Sequence, residues 1–72
     1  MTTHTFPLRG EFIELHALLK LLAIAPSGGA AKAMIVAGQV SVDGQVETRK
    51  GRKLRAGQVV RAGGDEVVVL AA

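Results

Sequence analysis

The sequence predicts a small α+β domain in which two N-terminal helices pack on one face of a small, mostly antiparallel β-sheet. Three observations predict it. Leucines recur at helical spacing over residues 15–22. An Ala-rich stretch follows a Pro-Ser step at residues 26–37. From Val40 onward, short Val-rich runs are separated by Asp-Gly and Gly-Gly turn signals. The 72 residues make one domain, 1–72, near the lower limit for folding without a staple. There is no Cys, so disulfides and thiolate metal sites are excluded. Stability must come from an aliphatic core, and 49% of the residues are apolar.

The elements follow in order. Thr5-Phe6-Pro7-Leu8-Arg9 alternates weakly and reads as a short edge strand, where Pro7 is tolerated. Leu15, Leu18, Leu19 and Leu22 form one helical stripe, with His16, Ala17 and Lys20 elsewhere on the wheel. Pro26 disfavours continuation past Ala25, so the first helix is predicted over roughly residues 13–23. Ser27 is the N-cap candidate of a second helix reaching Ala37, with Ala31, Met34 and Ile35 as its inner stripe. Gly38 suits the left-handed position just past its end.

The remainder is β. Around Asp43-Gly44 two registers are open. A two-residue turn pairs Val42 with Gln45 and turns Val46 away from the core face; a three-residue loop with a glycine bulge sets Val40 opposite Val46. Keeping Val46 on the core face favours the second. Val59 to Ala62 and Glu66 to Leu70 form a closing hairpin about Gly63-Gly64-Asp65. The last strand is apolar throughout, so it is expected to be covered on both faces or central in the sheet.

Charge is placed unevenly. Residues 1–48 carry three bases and four acids, residues 49–72 six bases and two acids. Arg49, Lys50, Arg52, Lys53 and Arg55 put five cations into seven residues, and no acid lies between Arg49 and Arg61. Such a run points to an anionic partner, gripped better by a wrapping loop than by a flat strand. Arg offers phosphate a bidentate fork and Lys a point charge. No stretch of about 20 apolar residues is present, and the start lacks the charge and apolar run of a signal peptide. A cytoplasmic protein with no membrane contact is expected. His4 reads as tail and His16 as helix surface, neither at metal-ligand or triad spacing. With no nucleophile–base pair, carboxylate pair or phosphate-cradling glycine motif in view, no enzyme, cofactor, metal or small-molecule substrate is expected.

The linked series Ser27-Gly28-Gly29-Ala30-Ala31-Lys32-Ala33-Met34-Ile35, Gly38-Gln39-Val40-Ser41-Val42-Asp43-Gly44 and Gly57-Gln58-Val59-Val60 resembles the S-four RNA-binding domain, the alpha-L motif named after the fourth protein of the small ribosomal subunit. The resemblance spans residues 12–60. Leu18-Leu19-Lys20, Ser27 to Lys32, and Val42-Asp43-Gly44 followed by Val46-Glu47-Thr48-Arg49-Lys50 are similar to its stand-alone bacterial subgroup of YbcJ type. Two family positions depart: Phe12-Ile13-Glu14-Leu15 stands where Arg-Leu-Asp is usual, and Gly28 where Arg follows the helix-two Ser.

The resemblance implies non-catalytic binding of structured RNA, ribosomal or transfer RNA, by helix two and the hairpin region. The expected contacts are Ser27, Gly28, Lys32, Arg49, Lys50, Arg52, Lys53 and Arg55, with Lys20 and Arg61 secondary. Ser27 and Gly28 open helix two, whose free N–H groups suit an anion. Lys32 matches a basic contact of the family. The chain has no Trp or Tyr, and Phe6 and Phe12 both read as core. Backbone and shape recognition is therefore expected, by a monomer, rather than reading of splayed single strands. The competing reading is a protein–protein adaptor whose basic loop meets an acidic partner.

Overall fold

The leucine stripe does form a helix, but hydrogen bonds to a distant loop decide where it starts. In the computed structural model, which describes residues 2–72, α1 is Leu15–Leu21 and buries Leu15, Leu18 and Leu19. It begins later than the pattern predicts. Ile13–Glu14 instead forms strand β2, paired antiparallel with β5 (Lys53–Leu54), Ile13 opposite Leu54. The Leu15 N–H donates to the Arg52 carbonyl at 2.9 Å and the His16 N–H to the Lys50 carbonyl at 3.2 Å. Those two carbonyls satisfy donors that an isolated helix start leaves free.

Both helices end alike. The Ala23 N–H donates to the Lys20 carbonyl and the Ile24 N–H to the Leu19 carbonyl, each at 3.0 Å. This Schellman closure needs a left-handed residue, and Ala23 takes it at φ 57°. The same closure ends α2 (Gly28–Val36), where Gly38 occupies the position at φ 78° as predicted. An L-residue in that region is strained by about 1–2 kcal/mol. Ala23→Gly, at an exposed site, is therefore expected to stabilise the fold by about 0.5–1 kcal/mol after the entropy loss of the extra glycine. A rise in Tm of a few degrees checks it. At the other end of α2, the Ser27 Oγ accepts from the Ala30 N–H at 3.1 Å, the cap that its position predicts.

Five strands form the larger sheet in the order β1-β7-β6-β3-β4. They are β1 (Thr2–Pro7), β3 (Val40–Val42), β4 (Gln45–Val46), β6 (Val59–Ala62) and β7 (Asp65–Leu70). All pairs are antiparallel except β1 with β7. β1 is an edge strand, as expected, but begins at Thr2 and ends at Pro7. His4 is thus no tail: it lies in β1, half-buried, with its Nε2 3.0 Å from Asp65 Oδ1. The apolar run of β7 is explained by strands on both edges. Val67 and Val69 face the core, while Val68 is half-buried and Leu70 exposed.

The hairpin register corrects the sequence reading. Val42 pairs with Gln45 and Ser41 with Val46, across a two-residue turn with Asp43 at φ 51° and Gly44 at φ 85°. Positive φ at both positions is the type I′ geometry, whose twist matches the strands it joins. Turn geometry outweighs the burial of one Val. Val46 lies outside, 65% exposed, over Gly38. Asp43 adds to the turn by accepting from the Val59 N–H at 2.9 Å.

One face of this sheet is covered. Val40, Val42, Val60, Ala62, Val67 and Val69 meet Leu15, Leu18, Leu19, Ala31, Ile35 and Leu54 in a single buried cluster. No helix among the described residues is long and apolar enough to cross a membrane.

Candidate nucleic-acid interface

The cationic run Arg49–Arg55 leaves β4, turns at Lys50-Gly51 and enters β5. Its backbone is held at both ends of that turn. The Lys50 and Arg52 carbonyls are bonded to the start of α1, and Leu54 is fully buried. A Cβ at Gly51 would meet only the mobile end of the exposed Glu14 side chain, 3.3 Å from Oε2. Arg49, Gly51, Arg52 and Lys53 line a shallow open depression. The run is a tethered turn with a short strand, close to the loop that its pattern predicts.

Glu47 organises this surface, and its role is absent from the sequence reading. It is 7% exposed, a rare burial for a carboxylate. Its two oxygens accept from the Arg49 backbone N–H at 3.0 Å, Arg49 Nε and Nη2 at 3.1 Å each, and Arg52 Nη1 at 2.6 Å. The guanidinium hydrogen bonds from Arg49 and then Arg52 lower the Glu47 carboxyl from 4.5 to about 2. Reciprocally, Glu47 raises the Arg49 guanidinium above its ordinary value. Two of the five cations are thus pinned by one carboxylate, which takes one unit of charge from the cluster. Each guanidinium keeps further N–H donors, since it carries five.

A stability consequence follows from the lowered carboxyl. The unfolded chain takes up its proton near pH 4.5, the folded one only near 2. Glu47 therefore stabilises the fold fully above about pH 5, and that contribution fades as pH falls toward 2. Glu47→Gln is expected to lose about 1–2 kcal/mol at neutral pH. The difference from wild type should shrink in acid and with added salt, because Arg49 is exposed. Denaturant titrations of both proteins at pH 7 and pH 3 measure it.

Phe12 also departs from its predicted place. It is 41% exposed, with Lys53 Nζ 4.9 Å and Arg55 Cζ 6.0 Å from its ring centroid. The pairing of β2 with β5 explains this. Ile13 faces Leu54, so continuing the antiparallel register sets Phe12 across from Arg55 and diagonal to Lys53. The ring face attracts both cations, Lys53 more closely than Arg55. No local pattern around Phe12 signals this, because the strand that pairs with Ile13 lies at Lys53–Leu54.

The remaining predicted residues are spread more widely. Ser27 caps α2, Gly28 begins it with open space around its Cα, and Lys32 is exposed on it. Among the described residues, no hydrogen bond or ion pair joins this helix to the cationic run; the helix start beside that run is α1. Lys20 is exposed in the last turn of α1. Arg61 stands on the outer face of the larger sheet, its Nε 2.9 Å from Glu66 Oε2. His16 is only partly exposed and lies 3.4 Å from Glu14.

Comparison with known proteins agrees with this architecture. A family model described as S4 domain matches residues 6–70. YbcJ of Escherichia coli (strain K12) is 52% identical over 59 residues, 82% of this chain and 84% of that protein. YbcJ of Shigella flexneri matches to the same extent. The solution structure of the E. coli protein superposes with a TM-score of 0.74 at 47% identity, covering 99% of this chain and 91% of the other. That structure is described as revealing an alphaL motif involved in RNA-binding. With a family match over nearly its whole length and relatives more than half identical across most of it, this chain belongs to the S4 domain family.

Proposed function

We propose that the chain binds structured RNA, ribosomal or transfer RNA, without catalysing a reaction on it. The observation that carries this reading is the cation-lined depression at Arg49, Arg52 and Lys53, tethered to α1 and the core. A pre-set array of guanidinium and ammonium groups meets a phosphate ridge at little ordering cost. Lys50 and Arg55 extend it, and Ser27, Gly28 and Lys32 offer a second contact at the start of α2. Lys20, exposed in the last turn of α1, is a secondary contact; Arg61, already paired with Glu66, contributes least. The solved relative's association with RNA-binding supports the same reading. What the surface offers is charge and hydrogen-bond donors, which suit a binding module; a monomer in the cytosol is part of the same proposal.

A direct test is to titrate a labelled RNA hairpin with the full chain over a range of salt. Tight binding at low salt, with log Kd rising steeply and linearly with log salt, is the expected result. Binding to an acidic protein but to no RNA would replace this reading with that of an adaptor.

A further inference from the structure

Phe12 belongs to two surfaces at once. Besides carrying Lys53 and Arg55, it lines an apolar groove of about 470 Å³ with Phe6, Leu8, Arg9, Leu21 and Leu22. That size falls within the range of small-ligand clefts. Leu21 is 65% exposed and Phe12 41% exposed, so apolar side chains of this domain remain open to solvent here. The groove's lining includes one cation, Arg9, and no carboxylate. Lys53 and Arg55 stand over the ring that forms part of its wall. An apolar slot rimmed by cations fits a nucleotide better than an aliphatic peptide side chain. A nucleobase has a flat apolar face joined through its sugar to an anion.

We infer that this groove receives one unpaired nucleobase of the bound RNA, stacked against Phe12, with the neighbouring phosphates on Lys53, Arg55 and Arg9. The inference rests on the RNA-binding reading and narrows it to a class of target: helices interrupted by an unpaired nucleotide. One exposed ring serves one base, and the chain's other aromatic residue, Phe6, is half-buried against the core. A paired base must be unstacked before it enters such a slot, whereas a bulged base is already free. The protein therefore discriminates bulged from uninterrupted helices.

The test compares three hairpins of one sequence: one with a single bulged adenosine, one with the bulge deleted, one with an abasic site at the bulge. Each is titrated with the full chain at fixed salt. The bulged hairpin is expected to bind roughly tenfold tighter than the other two. In Phe12→Leu, which keeps apolar bulk without the ring, that ratio is expected to fall close to one. Equal binding of all three by the wild type overturns the base slot and leaves RNA binding intact. A preference that survives in Phe12→Leu, or on the abasic hairpin, also overturns it, because the bulge's flexibility would then suffice. Failure to bind any hairpin overturns both readings.

Discussion

Changing Lys50, Lys53 and Arg55 together to Ala is expected to reduce the salt dependence of RNA binding by about three in the log–log slope. Affinity at low salt should fall by orders of magnitude. These three are the run's cations that Glu47 does not hold; Arg49 and Arg52 both donate to its carboxylate. Each released counterion contributes nearly one unit of slope, so the size of the change counts the phosphates these side chains neutralise. Arg49→Ala with Arg52→Ala should flatten the slope less, because it removes two cations instead of three and Glu47 already neutralises part of their charge. Circular dichroism of the variants establishes that they are folded. An unchanged slope in the triple variant would move the interface away from this segment.

Leu54→Ala is expected to produce the largest loss of stability, about 2–5 kcal/mol. A domain of this size holds only about 4–11 kcal/mol in total. Leu54 is fully buried opposite Ile13 and lies between Lys53 and Arg55. Removing its side chain leaves a cavity and loosens the strand that fixes both cations. A fall in Tm of roughly 10–25 °C is anticipated. Val46→Ala is the matched control: Val46 is 65% exposed, and its loss should change stability by less than about 0.5 kcal/mol. RNA affinity of Leu54→Ala should follow the folded fraction as temperature rises. Equal stability of the two variants would contradict the anchoring role of β5.

The helix stripe at Leu15, Leu18 and Leu19, the Ser27 cap and the Gly38 stop were legible in the sequence because they are local. So were the edge placement of the Pro7 strand and the closing hairpin of β6 and β7. The density of cations from Arg49 to Arg55 was legible for the same reason. The shortened start of α1 was not. It depends on carbonyls at Lys50 and Arg52, more than thirty residues away along the chain. The register of the Asp43-Gly44 hairpin was open in sequence, because burial of Val46 and the twist of a type I′ turn pull in opposite directions.

The fold class, the two caps of α2 and the clustering of positive charge were determined by the sequence itself. The tertiary structure alone decided how that charge is used. Pairing of β2 with β5 brings Phe12 under Lys53 and Arg55 and makes an expected core residue a surface one. Glu47, buried just past β4, accepts hydrogen bonds from Arg49 and Arg52 and so divides five similar cations into two that it holds and three that it does not. Strand pairing joins residues that are distant along the chain, and the burial of Glu47 depends on the packing around it, so neither is written in the local pattern although Arg49 and Arg52 are near neighbours of Glu47.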